Sequence, residues 1–327
     1  MMRRFPARQR GVAVVTALLL TTLAVSIVAS LFWQQQVQVR SLENQYLHFQ
    51  TRWMLRGGLD FTRFILREDL RTGQGLTRLD GIWATPLRET RVDEFADRQR
   101  VEGESFNATI SGQTYDAQSR YNLANLASTD GAGGINKAQL AVFSRLLQNL
   151  QLDPGLARTV AIQVVRSQGV GQAPQPGTPP QPNVEPVPAG SGRPMKLLRV
   201  EDLLAVTGFD QRAVEKLRDL VVALPEPTPV NVNTAPAPVL AALAGMSLSE
   251  GQGVALARER TFFRNADDFK AQLQARGKSL PENVQIDVTS RYFLVMSRVK
   301  LDRAELISWS LVQRDQNGTR VVWIREI

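Results

Sequence analysis

From Val12 to Phe32 the chain holds sixteen apolar residues, five serines or threonines and no charge. A run of about 20 apolar residues is long enough to cross the hydrocarbon core of a bilayer as a helix. Beyond it the helical pattern continues in a different form. Val39, Leu42, Tyr46, Phe49 and Trp53, then Phe61, Phe64 and Ile65, follow steps of three and four residues, the spacing of an amphipathic helix. Gly57-Gly58 weakens that helix locally, by up to about 1 kcal/mol each. Gly73 followed by Gly75 is a stop signal. One rod from Val12 to Leu70 would be roughly 88 Å long at 1.5 Å per residue. Its first half suits lipid; its second half needs a soluble surface for the apolar stripe.

Strand-like segments supply that surface. Phe106 to Ile110, a turn at Ser111-Gly112-Gln113 and then Thr114 to Leu123 read as a hairpin. Near the C-terminus, Val284 to Val288, Tyr292 to Leu301, Ala304 to Arg314 and Arg320 to Ile327 are further strand candidates. Asn317-Gly318 between the last two is a strong hairpin signal. A long helix on an antiparallel sheet is an α+β layer architecture.

The stretch between the two strand groups, 124–283, reads as an all-helical domain inserted between sheet strands. Its helices are expected at Ile135 to Leu150, Pro154 to Gln168, Arg199 to Val206, Asp210 to Leu224, Ala235 to Ala244, Leu248 to Arg260 and Ala266 to Gln274. Pro225, Pro227 and Pro229 stop the fourth of these. Inside the domain, 169–194 holds eight prolines and five glycines with few apolar residues, which predicts a flexible loop.

The net charge of +8 suggests nucleic acid until it is partitioned. Arg3, Arg4, Arg8 and Arg10, all ahead of Gly11, supply half of it. Most remaining basic residues alternate with acids, as in Arg67-Glu68-Asp69, and read as a solvated surface. With no cysteine, the chain has no disulfide, thiolate metal site or cysteine nucleophile. With one histidine, His48, it has no multi-histidine site.

The arginine cluster ahead of the apolar run keeps the N-terminus on the cytoplasmic side. A secretory signal would carry a small-residue cleavage site after its apolar core. Here Trp33 and Gln34-Gln35-Gln36 follow instead, and the glycine lies on the cytoplasmic side, at Gly11. This arrangement resembles the type IV prepilin leader, which a membrane peptidase cuts right after such a glycine. An uncleaved signal anchor is the alternative reading of the N-terminus alone.

Taken with later blocks, nearly the whole chain resembles the minor pseudopilin K family of the type II secretion system. The blocks that carry the likeness are Arg10 to Leu20, Phe64 to Leu70, Tyr121-Asn122-Leu123-Ala124-Asn125-Leu126, and Val230-Asn231-Val232-Asn233-Thr234-Ala235-Pro236-Ala237-Pro238-Val239-Leu240. In the last block, Asn233 or Thr234 is an expected N-cap and Pro236 suits the first helical turn. The resemblance implies a pilin-like fold: a leader at 1–11, a transmembrane helix at 12–33, and the soluble half-helix with the first strands at 34–123. The helical domain follows at 124–283 and the last strands at 284–327. It implies cleavage between Gly11 and Val12, a single-pass place in the bacterial inner membrane, and a bulk that is periplasmic.

Most pilins and pseudopilins have glutamate at the fifth position after the cut, pairing with a neighbour's N-terminal ammonium; here that position is Thr16. By the resemblance, subunits lacking the glutamate sit at the pseudopilus tip. The plain alternative is that Thr16 is one of five tolerated hydroxyl residues. The implied partners are the I and J minor pseudopilins, H as a further candidate, the major pseudopilin and the prepilin peptidase. Near the tip, the secretin or the exported protein is implied as well. Family members are also described with calcium in the helical domain. The segment expected to be carboxylate-rich, Ala161 to Ser167, offers no acid, leaving Asp130, Glu201-Asp202 and Asp267-Asp268. Hard cations need several oxygen ligands, so no cofactor is expected and no ligands are assigned.

Two segments, Val200 to Asp210 with its following helix and Asn233 to Phe263 around Gly245-Met246-Ser247, look like helix-hairpin-helix units. In DNA-binding versions, hairpin glycines bring backbone amides to a phosphate. Asp210 and Glu250 oppose that use, and compact packing is the other reading. A membrane-anchored DNA-binding protein of an uptake system is therefore the alternative function. An anchored hydrolase is a third, but no Gly-x-Ser-x-Gly or Walker A pattern accompanies His48, and no enzyme is expected.

Overall fold

The computed structural model describes residues 10–92, 107–128, 133–168, 182–187 and 193–327. Helix α1 runs without a break from Arg10 to Thr72, 63 residues, or about 95 Å. It passes straight through Gly57-Gly58. A Cβ on Gly58 would lie 2.5 Å from Ile110 Cδ1, so this glycine lets the helix settle on the sheet. The helix ends where expected. Gly73 N–H donates to the Asp69 carbonyl, and Gln74 and Gly75 take positive φ angles of 54° and 80°.

The sheet has five strands in sequential antiparallel order: β1 (Leu87–Arg91), β2 (Ala108–Asp116), β3 (Tyr292–Leu301), β4 (Ala304–Asp315) and β5 (Gly318–Glu326). The hairpin expected around Ser111-Gly112-Gln113 is not formed. β2 runs through those residues as one strand, and Phe106 lies outside the described residues. Gly112 sits mid-strand opposite Ser297, where a Cβ would lie 2.6 Å from the Met296 carbonyl oxygen. The glycine serves close strand approach, not a turn. The Asn317-Gly318 hairpin does form: Asp315 pairs with Gly318, and its carboxylate accepts from both Asn317 and Gly318 N–H.

The first half of β3 is buried on both faces, which explains its continuous apolar run from Tyr292 to Met296, while Arg298 and Lys300 beyond it are exposed. Phe293, Val295 and Val299 face α1 and meet Leu55, Leu59 and Leu66. Tyr292 and Leu294 face the helical domain with Val222 and Leu224. Leu66, fully buried, contributes about 1.5–3 kcal/mol by transfer from water.

The inserted domain holds α2 (Lys137–Asn149), α3 (Leu156–Ser167), α4 (Gln211–Leu217), α5 (Ala237–Ala244), α6 (Leu248–Arg260) and α7 (Ala266–Gln274) around its own apolar core. The segment Val200–Ala205 is a 3-10 helix. α4 stops at Leu217, seven residues before its expected end, because Val221–Val222 pairs as a short parallel strand with Tyr121–Asn122. Ile135 belongs to a strand, not to α2: Gly134–Asn136 pairs with Val184–Pro186. That pairing also corrects part of the expected flexible loop, since Lys137 Nζ donates to Pro182 O and Arg158 pairs with Glu185 there. The rest of that loop, except 182–187 and 193–194, lies outside the described residues.

Candidate assembly surface and the junction behind it

Two features stand out: a long uncovered helix, and a buried polar junction that fixes it to the rest of the molecule. Among the described residues, none covers the first half of α1. Every described side chain from Val12 to Tyr46 is exposed, including Trp33 at 73 %. Thr16 Oγ1 donates back to the Val12 and Ala13 carbonyls at 2.9 and 3.0 Å. Thr21, Thr22 and Ser26 do the same three or four residues back. Each of these four hydroxyls is thus satisfied within the helix, as lipid requires. Past the bilayer length, Phe49 and Trp53 meet edge to face at 5.9 Å and stay exposed, as do Phe61 and Phe64.

The upper end of α1 is held by polar contacts. Asp116, at the end of β2, is buried with four donors. Ser290 Oγ, Thr234 Oγ1 and Asn231 Nδ2 reach its Oδ2 at 2.6, 2.5 and 3.0 Å, and Gln118 N–H reaches Oδ1 at 2.8 Å. Burial pushes this carboxyl above the ordinary aspartate value against the pull of those donors. Beside it Arg314, fully buried on β4, donates to Asp69, the Leu66 carbonyl, Thr77 and the Ser290 carbonyl. The Phe293 ring lies 4.5 Å from its guanidinium carbon. Burial lowers the Arg314 pKa and raises that of Asp69, while their mutual attraction opposes both shifts.

The asparagine-rich blocks feed this junction. Asn231 Nδ2 also reaches Thr77 O and Ser290 Oγ. Asn233 spans to Phe263, donating to its carbonyl and accepting from its N–H. Neither Asn233 nor Thr234 is the N-cap of α5; Pro236 holds that position, and both polar side chains are spent elsewhere. Arg258 Nη1 donates to the Val232 and Ala235 carbonyls, and burial lowers its pKa to about 10. In the earlier block, Asn122 and Asn125 grip the backbone of 224–228. Tyr121 Oη donates to the Gln139 carbonyl. These blocks therefore act as side-chain clamps on irregular backbone whose polar groups would otherwise be buried unpaired.

Two family models, both for protein K of the type II secretion system, match residues 119–226 and 230–289. The type II secretion system protein K of Pseudomonas aeruginosa is 30 % identical over 330 residues, covering 98 % of this chain and 93 % of that one. The chain belongs to the type II secretion system protein K family. In fold it is similar to a chain in the crystal structure of the GspK–GspI–GspJ complex from enterotoxigenic Escherichia coli. That match has a TM-score of 0.62 and 19 % identity, covering 87 % of this chain and 98 % of that one. As a K-family protein it is a structural minor pseudopilin of the secretion pseudopilus. Its α1 is a single-pass inner-membrane anchor.

The two hairpins belong to packing, not to nucleic acid. Gly245 takes φ 60° between α5 and α6, which bend by 116°. The start of α6 is closed by its own capping box, Ser247 with Glu250, whose carboxylate lies where a phosphate would have to enter. Asp210 likewise caps α4 through Ala213 N–H. The acids considered for calcium are engaged in the same way. Asp202 binds Arg199 and the Leu198 N–H, Glu201 meets Arg218, Asp267 meets Lys270, and Asp268 accepts from Arg264 N–H just ahead of the Asn265 cap of α7. Among the described residues no three acids or histidines converge; Asp130 lies outside them. His48 is exposed on α1.

Of the expected site residues, Gly11, Val12 and Thr16 all lie in the first two turns of α1. The junction residues Asp116, Arg314, Thr77 and Ser290 escaped sequence reasoning. One signal was present: Arg314 continues the inward-facing register of Ser308, Ser310 and Val312, an improbable place for a charge without a buried partner.

Proposed function

We propose that the leader 1–11 is removed by the prepilin peptidase between Gly11 and Val12, and that the mature chain takes its place at the pseudopilus tip. There it helps initiate pseudopilus assembly and protein export across the outer membrane. Its direct partners are the I and J minor pseudopilins, the pair named with the K protein in the related crystal complex. H, and the major pseudopilin below them, follow. The helical domain caps the tip toward the secretin or the exported protein.

The observation that carries this reading is Thr16. Its hydroxyl is committed to the Val12 and Ala13 carbonyls. The fifth residue of the mature chain therefore offers no carboxylate to a neighbour's ammonium, as suits a subunit with none above it. Mass measurement of the protein from a host with an active prepilin peptidase tests the processing step. The mature chain should begin at Val12, and a chain still beginning at Met1 overturns it. Co-isolation of I- and J-type subunits with the full chain tests the partners.

A further inference from the structure

On the face of the sheet away from α1, a cleft of about 660 Å³ separates β5 from the helical domain. Trp309 of β4 with Trp323, Arg325 and Ile327 line one wall, and Leu198 and Val200 the other. β5 is the last strand of the sheet, and among the described residues no strand pairs with its outer side. The segment 93–106 leaves and rejoins the described chain at the opposite edge, between β1 and β2.

An uncovered edge offers unpaired N–H and C=O groups to any passing strand, so proteins guard it with cover, bulges or charge. β5 descends toward the bilayer, from Thr319 beside Arg63 of α1 to Glu326 beside Arg52. Its upper part is guarded. Arg63 donates to the Thr319 carbonyl, and a bulge interrupts the pairing between Val321 and Trp323. Below the bulge, Trp323 to Glu326 pair regularly with Ser308 to Leu311. There Ile324 is 52 % exposed, and Ile327 just beyond is 81 % exposed. The Ile327 N–H donates to the Ile307 carbonyl. Bonds to one neighbour alternate along an antiparallel strand. Trp323, Arg325 and Ile327 are therefore spent on β4, while Ile324 and Glu326 direct their backbone groups out from the sheet.

The charges around the cleft leave one position open. Its acids are each held by an arginine: Glu201 by Arg218, Asp219 by Arg120 and Glu326 by Arg52. Arg325 is folded back over the Trp323 ring at 4.1 Å and donates to the Leu198 carbonyl. Among the described residues no acid pairs with it. Tryptophan and arginine are also the residues that most often anchor a protein interface.

We propose that the lower edge of β5 takes an extended, acid-bearing segment of another protein as an added antiparallel strand. Side chains directly opposite one another share a face of the sheet. A carboxylate opposite Arg325 falls on the cleft side, against the guanidinium that lacks an acid. Apolar residues two positions to either side fall against Trp323 and Ile327. The recognised pattern is apolar-x-acid-x-apolar, held by backbone bonds to Ile324 and Glu326. β5 of a second copy does not supply it, because its one acid, Glu326, is committed to Arg52.

The test uses the full detergent-solubilised chain and a fluorescein-labelled peptide, Val-Thr-Val-Thr-Glu-Thr-Val-Thr-Val, read by fluorescence anisotropy. Binding should saturate, and should weaken at least tenfold with lysine in place of the glutamate or in Arg325→Gln. N-methylation of the two threonines flanking the glutamate, whose amides face β5, should abolish binding; N-methylation of the glutamate itself should not. Ile324→Pro removes an outward N–H and no bond to β4. It should abolish binding with the circular dichroism unchanged, and Arg325→Gln carries the test if that variant misfolds. The proposal is overturned by a lack of saturable binding, by equal binding of the lysine peptide, or by equal loss from both methylation patterns. A dimer of the free chain that Ile324→Pro dissolves would assign the edge to a second copy. Binding that appears only when residues 169–192 are deleted would assign it to this chain's own loop. Either result overturns the proposal.

Discussion

Arg314 Nη1 lies 2.9 Å from Asp69 Oδ2, and this contact ties the last turns of α1 to the C-terminal end of β4. The arginine side chain is fully buried and the aspartate side chain 11 % exposed. The pair is therefore costly to assemble and more costly to break, because removing one partner strands the other charge in a dry site. Arg314→Leu or Asp69→Leu alone should lower stability by about 3–5 kcal/mol. The double variant should lose less than the two single losses added together. Urea unfolding of the detergent-solubilised chain checks this, and strictly additive losses would show that the two charges do not depend on each other.

Asn231 shares its two amide hydrogens among Asp116, Thr77 and Ser290. Asn231→Ala should cost about 1.5–3 kcal/mol, the range for a hydrogen bond to a charged group. Asn231→Asp should be worse at neutral pH, since it sets a second carboxylate against Asp116. The pH dependence has a definite sign. Asp116 already has a folded pKa above its ordinary value, so between those values the native state holds a proton the unfolded state has lost. Its contribution to stability therefore rises as pH falls through the folded value. Asn231→Asp should steepen that slope, and its deficit relative to Asn231→Ala should shrink in acid. A deficit independent of pH would count against the charge argument.

Much of this fold was legible because it rests on local periodicity. The three-and-four spacing through Trp53 and Ile65, the double glycine at 73 and 75 and the Asn317-Gly318 turn each specify a local geometry by themselves. Gly112 misled because a glycine flanked by polar residues reads the same in a turn and in a crowded strand. Only the approach of Met296, from a strand far along the chain, decides between them. α4 ended early for a similar reason: Val221 and Val222 are taken by Tyr121 and Asn122, about a hundred residues away in sequence. The polar junction was least legible, since Asp69, Asp116 and Arg314 come from three separate elements and no local pattern announces their meeting. The asparagine blocks could be found as blocks, but their role as clamps emerged only with their partners.

Tyr292 provides an alkaline test of the sheet–domain contact. Its hydroxyl donates to Glu226 at 2.8 Å, and burial, then that carboxylate, push its pKa up to about 12. The unfolded chain ionises this group near its ordinary value of 10. From there to about 12 the native state keeps a proton the unfolded state loses, so the tyrosine's contribution to stability falls as pH rises across that window. Ultraviolet titration of Tyr292→Phe should lack the phenolate step near pH 12, and its stability should decline less steeply over the same range. Unchanged titration and slope in Tyr292→Phe would place the alkaline behaviour elsewhere.

Thr16→Glu separates the tip position from a position within the filament. A lone carboxylate at the centre of a membrane helix costs about 2.5–3.5 kcal/mol unless an ammonium meets it. A subunit with no neighbour above finds none, and the threonine hydroxyl it replaces was already satisfied by its own helix. For a tip subunit the substitution is therefore pure cost. Thr16→Glu should reduce both its recovery in the assembled pseudopilus and the secreted activity, while Thr16→Val leaves both near wild type. A subunit inside the filament would instead gain a partner for the new carboxylate and tolerate or benefit from it. Quantifying the two variants in sheared pseudopili against their membrane pools distinguishes the cases, and undiminished incorporation of Thr16→Glu would move this chain away from the tip.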